Sequence, residues 1–184
     1  MRHRFLESFA SAAAERGIAT LRFQFPFVED GKKRPDTPAV AGATIRAAVA
    51  AAALLAPDLP LFAGGKSFGG RMTSQAQASS PLPGIRGLVF LGFPLHPAGR
   101  PSTERAKHLF EACVPMLFLQ GTRDALCDLS QLRTAVDVHG DRTTVHLLEG
   151  ADHAFHVPAR SGRTDEEIRK EMVEVLDGWM KSIP

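Results

Sequence analysis

The sequence is short of cysteine: Cys113 and Cys127 are the only two in 184 residues. Two thiols cannot build a disulfide framework, and their scarcity points to a reducing, cytoplasmic setting. Long hydrophobic runs are lacking too. None approaches the roughly 20 residues that cross a bilayer, so no membrane partner is expected. Charge of one sign is not concentrated: 22 Lys and Arg stand against 20 Asp and Glu, for a net charge of +2 and a pI near 8.7. The one basic cluster, Lys32-Lys33-Arg34, reads as a solvated loop, and nucleic-acid binding has no support. Histidines are scattered. His153 and His156 form the one close pair, with no third ligand beside them, so no metal is expected.

With 44% hydrophobic and 23% charged residues, the chain has the profile of one globular domain, residues 1–184, with a sizeable core. No repeat, linker or low-complexity tract divides it. The start, Met1-Arg2-His3-Arg4-Phe5-Leu6, is basic like a secretory leader. Glu7 and Glu15 interrupt the apolar core that a leader needs, and the segment reads as an amphipathic helix.

Apolar runs alternate with helical patterns. A helix over Arg4–Arg16 stops at Gly17. Ile18–Phe25 reads as a strand, and Phe27–Thr37 as a polar loop. Pro38–Ala56 is rich in helix formers, including the alanine-rich Ala47–Ala53, and is closed by Pro57 and Pro60. Strands are expected at Leu61–Gly64, Gly87–Gly92, Pro115–Gly121 and Thr143–Leu148. Helices are expected at Gly69–Ala78, Thr103–Ala112, Leu129–Val138 and Asp165–Met180. Short strands separated by helices predict a mainly parallel sheet covered on both faces, a three-layer α/β/α sandwich. In such sheets functional groups gather beyond the C-terminal ends of the strands.

The stretch Ala63-Gly64-Gly65-Lys66-Ser67-Phe68-Gly69-Gly70-Arg71-Met72 carries the strongest local signal. Gly65-x-Ser67-x-Gly69 falls where a strand gives way to a helix. A serine on that turn is held in a strained conformation with its oxygen in the open. Small neighbours let strand and helix pass closely, and the helix aims its first amides at the same point. Ser67 is the candidate nucleophile, and the Phe68 N–H a candidate oxyanion donor. Gly65-Lys66-Ser67 also ends like a phosphate-binding loop, but that motif needs a glycine where Pro60 stands. A structural glycine-rich turn is the bland alternative.

Two later strand ends carry the groups that a serine nucleophile needs. The third expected sheet strand after Ile18–Phe25 runs into Gly121-Thr122-Arg123-Asp124, and the last into Glu149-Gly150-Ala151-Asp152-His153. A serine hydroxyl needs an adjacent base, and the base needs a carboxylate to set its tautomer. The order Ser67, Asp124, His153 is that of alpha/beta hydrolases. Asp128 is a rival acid further from the strand end. Asp152 reads as a turn cap and His156 as a surface or supporting histidine. His96 reads as a pocket or solvated loop residue. Lys66 reads as packing its stem and forming a salt bridge. Cys113 reads as a small core residue, and Cys127 as a poor nucleophile with no elbow around it.

These blocks, with Gly17-Ile18-Ala19-Thr20-Leu21-Arg22-Phe23-Gln24-Phe25-Pro26 and Leu91-Gly92-Phe93-Pro94-Leu95-His96, resemble the alpha/beta hydrolase superfamily across nearly the whole chain. Within it, the match is to small dienelactone-hydrolase-like proteins of the testis-expressed protein 30 and NSL-complex subunit 3 type. The resemblance implies a serine hydrolase with the triad Ser67, Asp124, His153 and no cofactor.

One departure accompanies it. Family members begin with a further strand and a His-Gly-Ala-Gly-like turn, just before the segment matching Met1–Phe5. That strand would lie between Ile18–Phe25 and Leu61–Gly64, and its loop would supply a second oxyanion donor. The expectation is an alpha/beta hydrolase fold lacking this strand, through truncation, a different closure of the sheet or a gap filled by a second chain. A free edge of this kind would favour a homodimer. The expected activity is cleavage of ester or related acyl bonds of a small substrate in an open, lidless site. The alternative is a catalytically weak binding or scaffold protein on the same fold.

Overall fold

The structure, a computed structural model, describes residues 3–184; Met1 and Arg2 of the basic start lie outside the described residues. Helix α1 runs Arg4–Glu15 and buries Phe9 and Ala13. It ends where Gly17 takes a φ of 76°, the left-handed conformation that glycine adopts at least cost. A single helical turn, α2 (Pro26–Glu29), opens the segment expected to be all loop, because Pro26 presets the φ of a first helical position. Helix α3 (Pro38–Leu55) is capped by Thr37, whose hydroxyl accepts from the Val40 N–H at 3.4 Å. Strand β1 (Leu61–Lys66) leads directly into α4 (Phe68–Ser79).

Three strands follow: β2 (Ile85–Leu91), β3 (Met116–Gly121) and β4 (Thr143–Leu148). The sheet is parallel throughout, in the order β1-β2-β3-β4. Between β2 and β3 lies Glu104–Ala112, where a helix was expected, and it is a 3₁₀ helix. Helix α5 (Leu129–Asp137) links β3 to β4, and α6 (Asp165–Ser182) closes the chain. A full capping box starts α6: the Thr164 hydroxyl accepts from the Glu167 N–H, and the Thr164 N–H donates back to the Glu167 carboxylate.

Alternation along the strands splits the core into two faces. Val89, Leu91, Leu117, Leu119 and Leu148 point to one face, where α1 and α6 bring Phe9, Met172, Leu176 and Trp179. Leu88, Phe90, Met116 and Phe118 point to the other, against Leu109 and Leu132. These side chains are buried, and each contributes roughly 1.5–3 kcal/mol by leaving water. The third layer expected from the sequence is present. Helix α3 packs on α4 through Ala41, Ile45, Met72 and Ala76.

Three expectations fail here. Ile18–Phe25 is not a strand: among the described residues it belongs to no ladder, and the sheet has four strands rather than five. Its Phe23 and Phe25, like Leu61 and Ala63 of β1, pack against the cluster of Ala41, Ile45 and Met72, but β1 is the sheet edge. A ladder requires a neighbour about 4.8 Å away, and none pairs with this segment. Cys113 is exposed rather than core, because it takes a left-handed turn (φ 50°) as the 3₁₀ helix ends. Helix α3 is long and apolar enough, by length and composition, to cross a membrane, although no such run was expected. Its one charge, Arg46, is engaged within the protein, donating to the carbonyls of Ala76 and Ser80 at the end of α4.

Candidate active site

The three candidate residues follow the C-terminal ends of β1, β3 and β4. Ser67 occupies the one-residue turn between β1 and α4 with φ 74° and ψ −109°. A non-glycine residue held there costs on the order of 1–3 kcal/mol, sustained by the surrounding packing. Glycines permit the close passage. A Cβ on Gly70 would lie 2.6 Å from the Gly65 carbonyl oxygen, and one on Gly65 would lie 3.2 Å from the Gly70 nitrogen.

Ser67 Oγ is 2.8 Å from His153 Nε2, and His153 Nδ1 is 2.7 Å from Asp124 Oδ2. Because a carboxylate only accepts, the imidazole proton lies on Nδ1, and the Nε2 lone pair faces the serine hydroxyl. The Asp124 side chain is fully buried while that of His153 is 25% exposed. The carboxylate is thus fixed and the imidazole reachable. Phe68 is the first residue of α4, where an amide has no intrahelical acceptor. The rings of Phe25 and Phe27 pack edge-on against the Phe68 ring, 5.2 and 5.7 Å between centroids. The Phe27 N–H is already engaged, donating to Asp36 Oδ2 at 3.1 Å.

Two residues absent from the sequence reading hold the acid. Gln120, fully buried at the end of β3, donates from Nε2 to Asp124 Oδ2 at 2.6 Å and accepts from the Phe93 N–H at 2.9 Å. The Leu126 N–H donates to the other carboxylate oxygen at 2.8 Å. Gly92, with φ 70°, leaves room for the pair: a Cβ there would lie 3.4 Å from His153 Nδ1. The available signal for Gln120 was its polarity after four apolar strand residues, Met116–Leu119.

Among the described residues Lys66 forms no salt bridge of the kind expected. Its ammonium donates to the His153 carbonyl at 2.6 Å and lies over the rings of Phe5 and Phe155, 5.5 and 5.4 Å from their centroids. Burial lowers its pKa, against the opposing charges of Asp124 and Asp152. Asp152 caps the turn, accepting from the N–H groups of Ala154 and His156. His156 is exposed and pairs with Asp165, whose carboxylate raises its pKa.

Asp128 is the cap of α5, accepting from the Gln131 N–H. His96 is buried rather than solvated. It accepts at Nε2 from the Asp128 N–H and contacts the Pro97 carbonyl through Nδ1, tying the loop after β2 to the loop after β3. Burial pushes the Cys127 thiol up to about 12, which leaves it protonated. Among the described residues, no three His, Cys, Asp or Glu side chains converge on a point where a metal could sit.

Comparison with known proteins gives a consistent result. A family model described as an alpha/beta hydrolase domain matches residues 1–181. Among solved structures, an alpha-beta serine hydrolase homologue from Coxiella burnetii superposes with a TM-score of 0.74 at 22% identity, covering 96% of this chain and 77% of that one. A lidless alpha/beta serine hydrolase from Xanthomonas campestris gives 0.71 at 21% identity, covering 100% and 77%. The esterase domain of a Rhodothermus marinus protein gives 0.65 at 16%, covering 98% and 81%.

Proposed function

The chain belongs to the alpha/beta hydrolase domain family, and on that premise we propose that it cleaves ester or related acyl bonds through an acyl-Ser67 intermediate. The observation that carries this reading is the unbroken relay from Ser67 Oγ through His153 to the buried Asp124. A hydroxyl paired with a neutral imidazole lone pair on a strained turn is poised to lose its proton as it attacks a carbonyl carbon.

In the proposed cycle, His153 Nε2 takes the Ser67 proton as Oγ bonds to the acyl carbon. Asp124 holds the resulting imidazolium at Nδ1. The Phe68 N–H faces the oxyanion. Collapse expels the leaving group, which receives the proton from Nε2. A water then repeats the sequence: His153 accepts its proton, the hydroxide attacks the acyl carbon, and Ser67 leaves with the proton restored. The step needs no cofactor. The lidless neighbour from Xanthomonas campestris supports a site open to small substrates.

One observation favours a weaker catalyst or a binding protein on this fold. Among the described residues β1 pairs with β2 alone, so no strand on its other side brings a loop with a second oxyanion donor. With a single oxyanion donor, the rate is expected to lie on the order of 10²- to 10³-fold below that with two. Reaction with a fluorophosphonate, followed by peptide mapping, separates the two readings. Labelling confined to Ser67 and absent from Ser67→Ala is the expected result. Folded protein that resists the reagent would overturn the hydrolase reading.

A further inference from the structure

Lys66 is the last residue of β1 and the one before the nucleophile. Alternation along the strand places it, with Phe62, on the face that α1 and α6 cover. A half-buried ammonium in such a place would ordinarily take a carboxylate. This one takes a main-chain carbonyl, that of His153, at 2.6 Å. The rings of Phe5 and Phe155, stacked 5.2 Å apart, face its charge from α1 and from the loop after β4.

The loop that carries His153 closes on itself. The Asp152 N–H donates to the His156 carbonyl at 3.0 Å, and the Phe155 N–H to the Asp152 carbonyl at 2.9 Å. The Asp152 carboxylate accepts from the N–H groups of Ala154 and His156. Phe155 is buried with φ 63°, a left-handed conformation that a large side chain keeps only where packing holds it. These bonds give the loop its shape, and the Lys66 bond fastens that shape to β1. His153 is thus fixed at three points: by Asp124 at Nδ1, by Ser67 at Nε2 and by Lys66 at its main chain. Lys66 and Ser67 are consecutive, so one short stretch of chain grips the base by both backbone and ring.

We propose that Lys66 is a positioning residue, which fastens the His153 loop to the strand of Ser67 and so sets the distance across which the serine proton moves to Nε2. This rests on the hydrolase reading and adds to it the residue that holds the base in place. Lys66 takes no part in the bonds made or broken. Its donated bond keeps Oγ and Nε2 at the 2.8 Å that proton transfer requires. The two rings hold the ammonium over the carbonyl by attraction to their faces.

The test is Lys66→Met, which keeps the apolar stem and removes the ammonium. On 4-nitrophenyl butyrate, kcat should fall about tenfold with KM little changed, the lower range of what one hydrogen bond to a charged group is worth. Lys66→Arg keeps a cation over the two rings and should recover most of the loss. The His153 Nδ1 proton, bonded to Asp124, gives a second reading by proton NMR, assigned by its absence in His153→Gln. Its line should broaden or vanish in Lys66→Met as the loop loosens, while the thermal melt shows the fold intact.

Folded Lys66→Met with the kcat and the His153 line of wild type overturns the proposal, as does a lowered melt as its sole effect. Lys66→Arg no better than Lys66→Met also overturns it, since the loss would then follow from shape rather than from the donated bond. If Lys66→Met does not fold, Phe5→Leu replaces it and opens the ammonium's enclosure on the α1 side. A severalfold fall in kcat with a broadened His153 line then supports the proposal, and no change in either overturns it. If wild type turns over no ester and fluorophosphonate leaves Ser67 unlabelled, the hydrolase reading fails. The His153 line then decides alone whether Lys66 holds the loop: broadening in Lys66→Met supports it, and an unchanged line overturns it.

Discussion

At the scale of single residues, the site is a chain of fixed groups ending in one movable proton. Asp124 is held at both oxygens, by Gln120 and His153 on Oδ2 and by the Leu126 amide on Oδ1. Asp124→Asn keeps the shape but favours the wrong imidazole tautomer, and is expected to lower kcat by about 10⁴-fold. Gln120→Leu leaves the triad atoms in place but removes one clamp and orphans the Phe93 amide. Its expected signature is a fall of about tenfold in kcat with KM little changed, because one hydrogen bond to a charged group is lost at a point remote from the substrate. Steady-state kinetics on a chromogenic ester reads both, and an unchanged kcat in Gln120→Leu would remove Gln120 from any positioning role. Ser67, Asp124 and His153 were legible in the sequence because each follows a strand end in a familiar order. Gln120 was not, because nothing local distinguishes a clamp from an ordinary strand residue.

At the scale of elements, the contact between α4 and the 3₁₀ helix Glu104–Ala112 carries a pH dependence. His108 bonds Ser74 at 2.7 Å. Burial, and then the charge of Arg71, lower its pKa from 6.5 to about 4. A histidine whose folded pKa is depressed is neutral in the folded state while the unfolded chain binds a proton. Stability therefore falls as pH drops from about 6.5 towards 4, and the contribution is fully present above 6.5. His108 is partly exposed, so the loss is discounted to no more than about 2 kcal/mol. Thermal melts at pH 7 and pH 5 should show a larger drop for wild type than for His108→Gln. Equal drops would assign the acid sensitivity elsewhere. The sequence placed this element as a helix without fixing its type, because apolar spacing does not separate 3.6 from 3.0 residues per turn and packing decides.

At the scale of the whole molecule, among the described residues β1 is paired on one side only, and the preceding chain exposes Leu54, Leu55 and Leu59 at 83%, 77% and 53%. An unpaired edge next to exposed apolar side chains favours self-association. Light scattering should show mass rising with concentration, and Leu54→Lys combined with Leu55→Lys should suppress it; a monomer throughout would show that the edge is protected. The sequence by itself determined the alternation of strands and helices, the parallel sheet with covered faces, and the serine, aspartate and histidine that follow strand ends. Those features are written in local periodicity, turn chemistry and chain order. Only the tertiary structure decided that Ile18–Phe25 stays outside the sheet, that Gln120 clamps Asp124, that His96 is a buried tie, and that His108, near the charge of Arg71, is half-buried against Ser74. Each of these depends on which neighbour arrives from a distant part of the chain, and a ladder, a buried hydrogen bond or a repulsion between like charges exists only once both partners are in place.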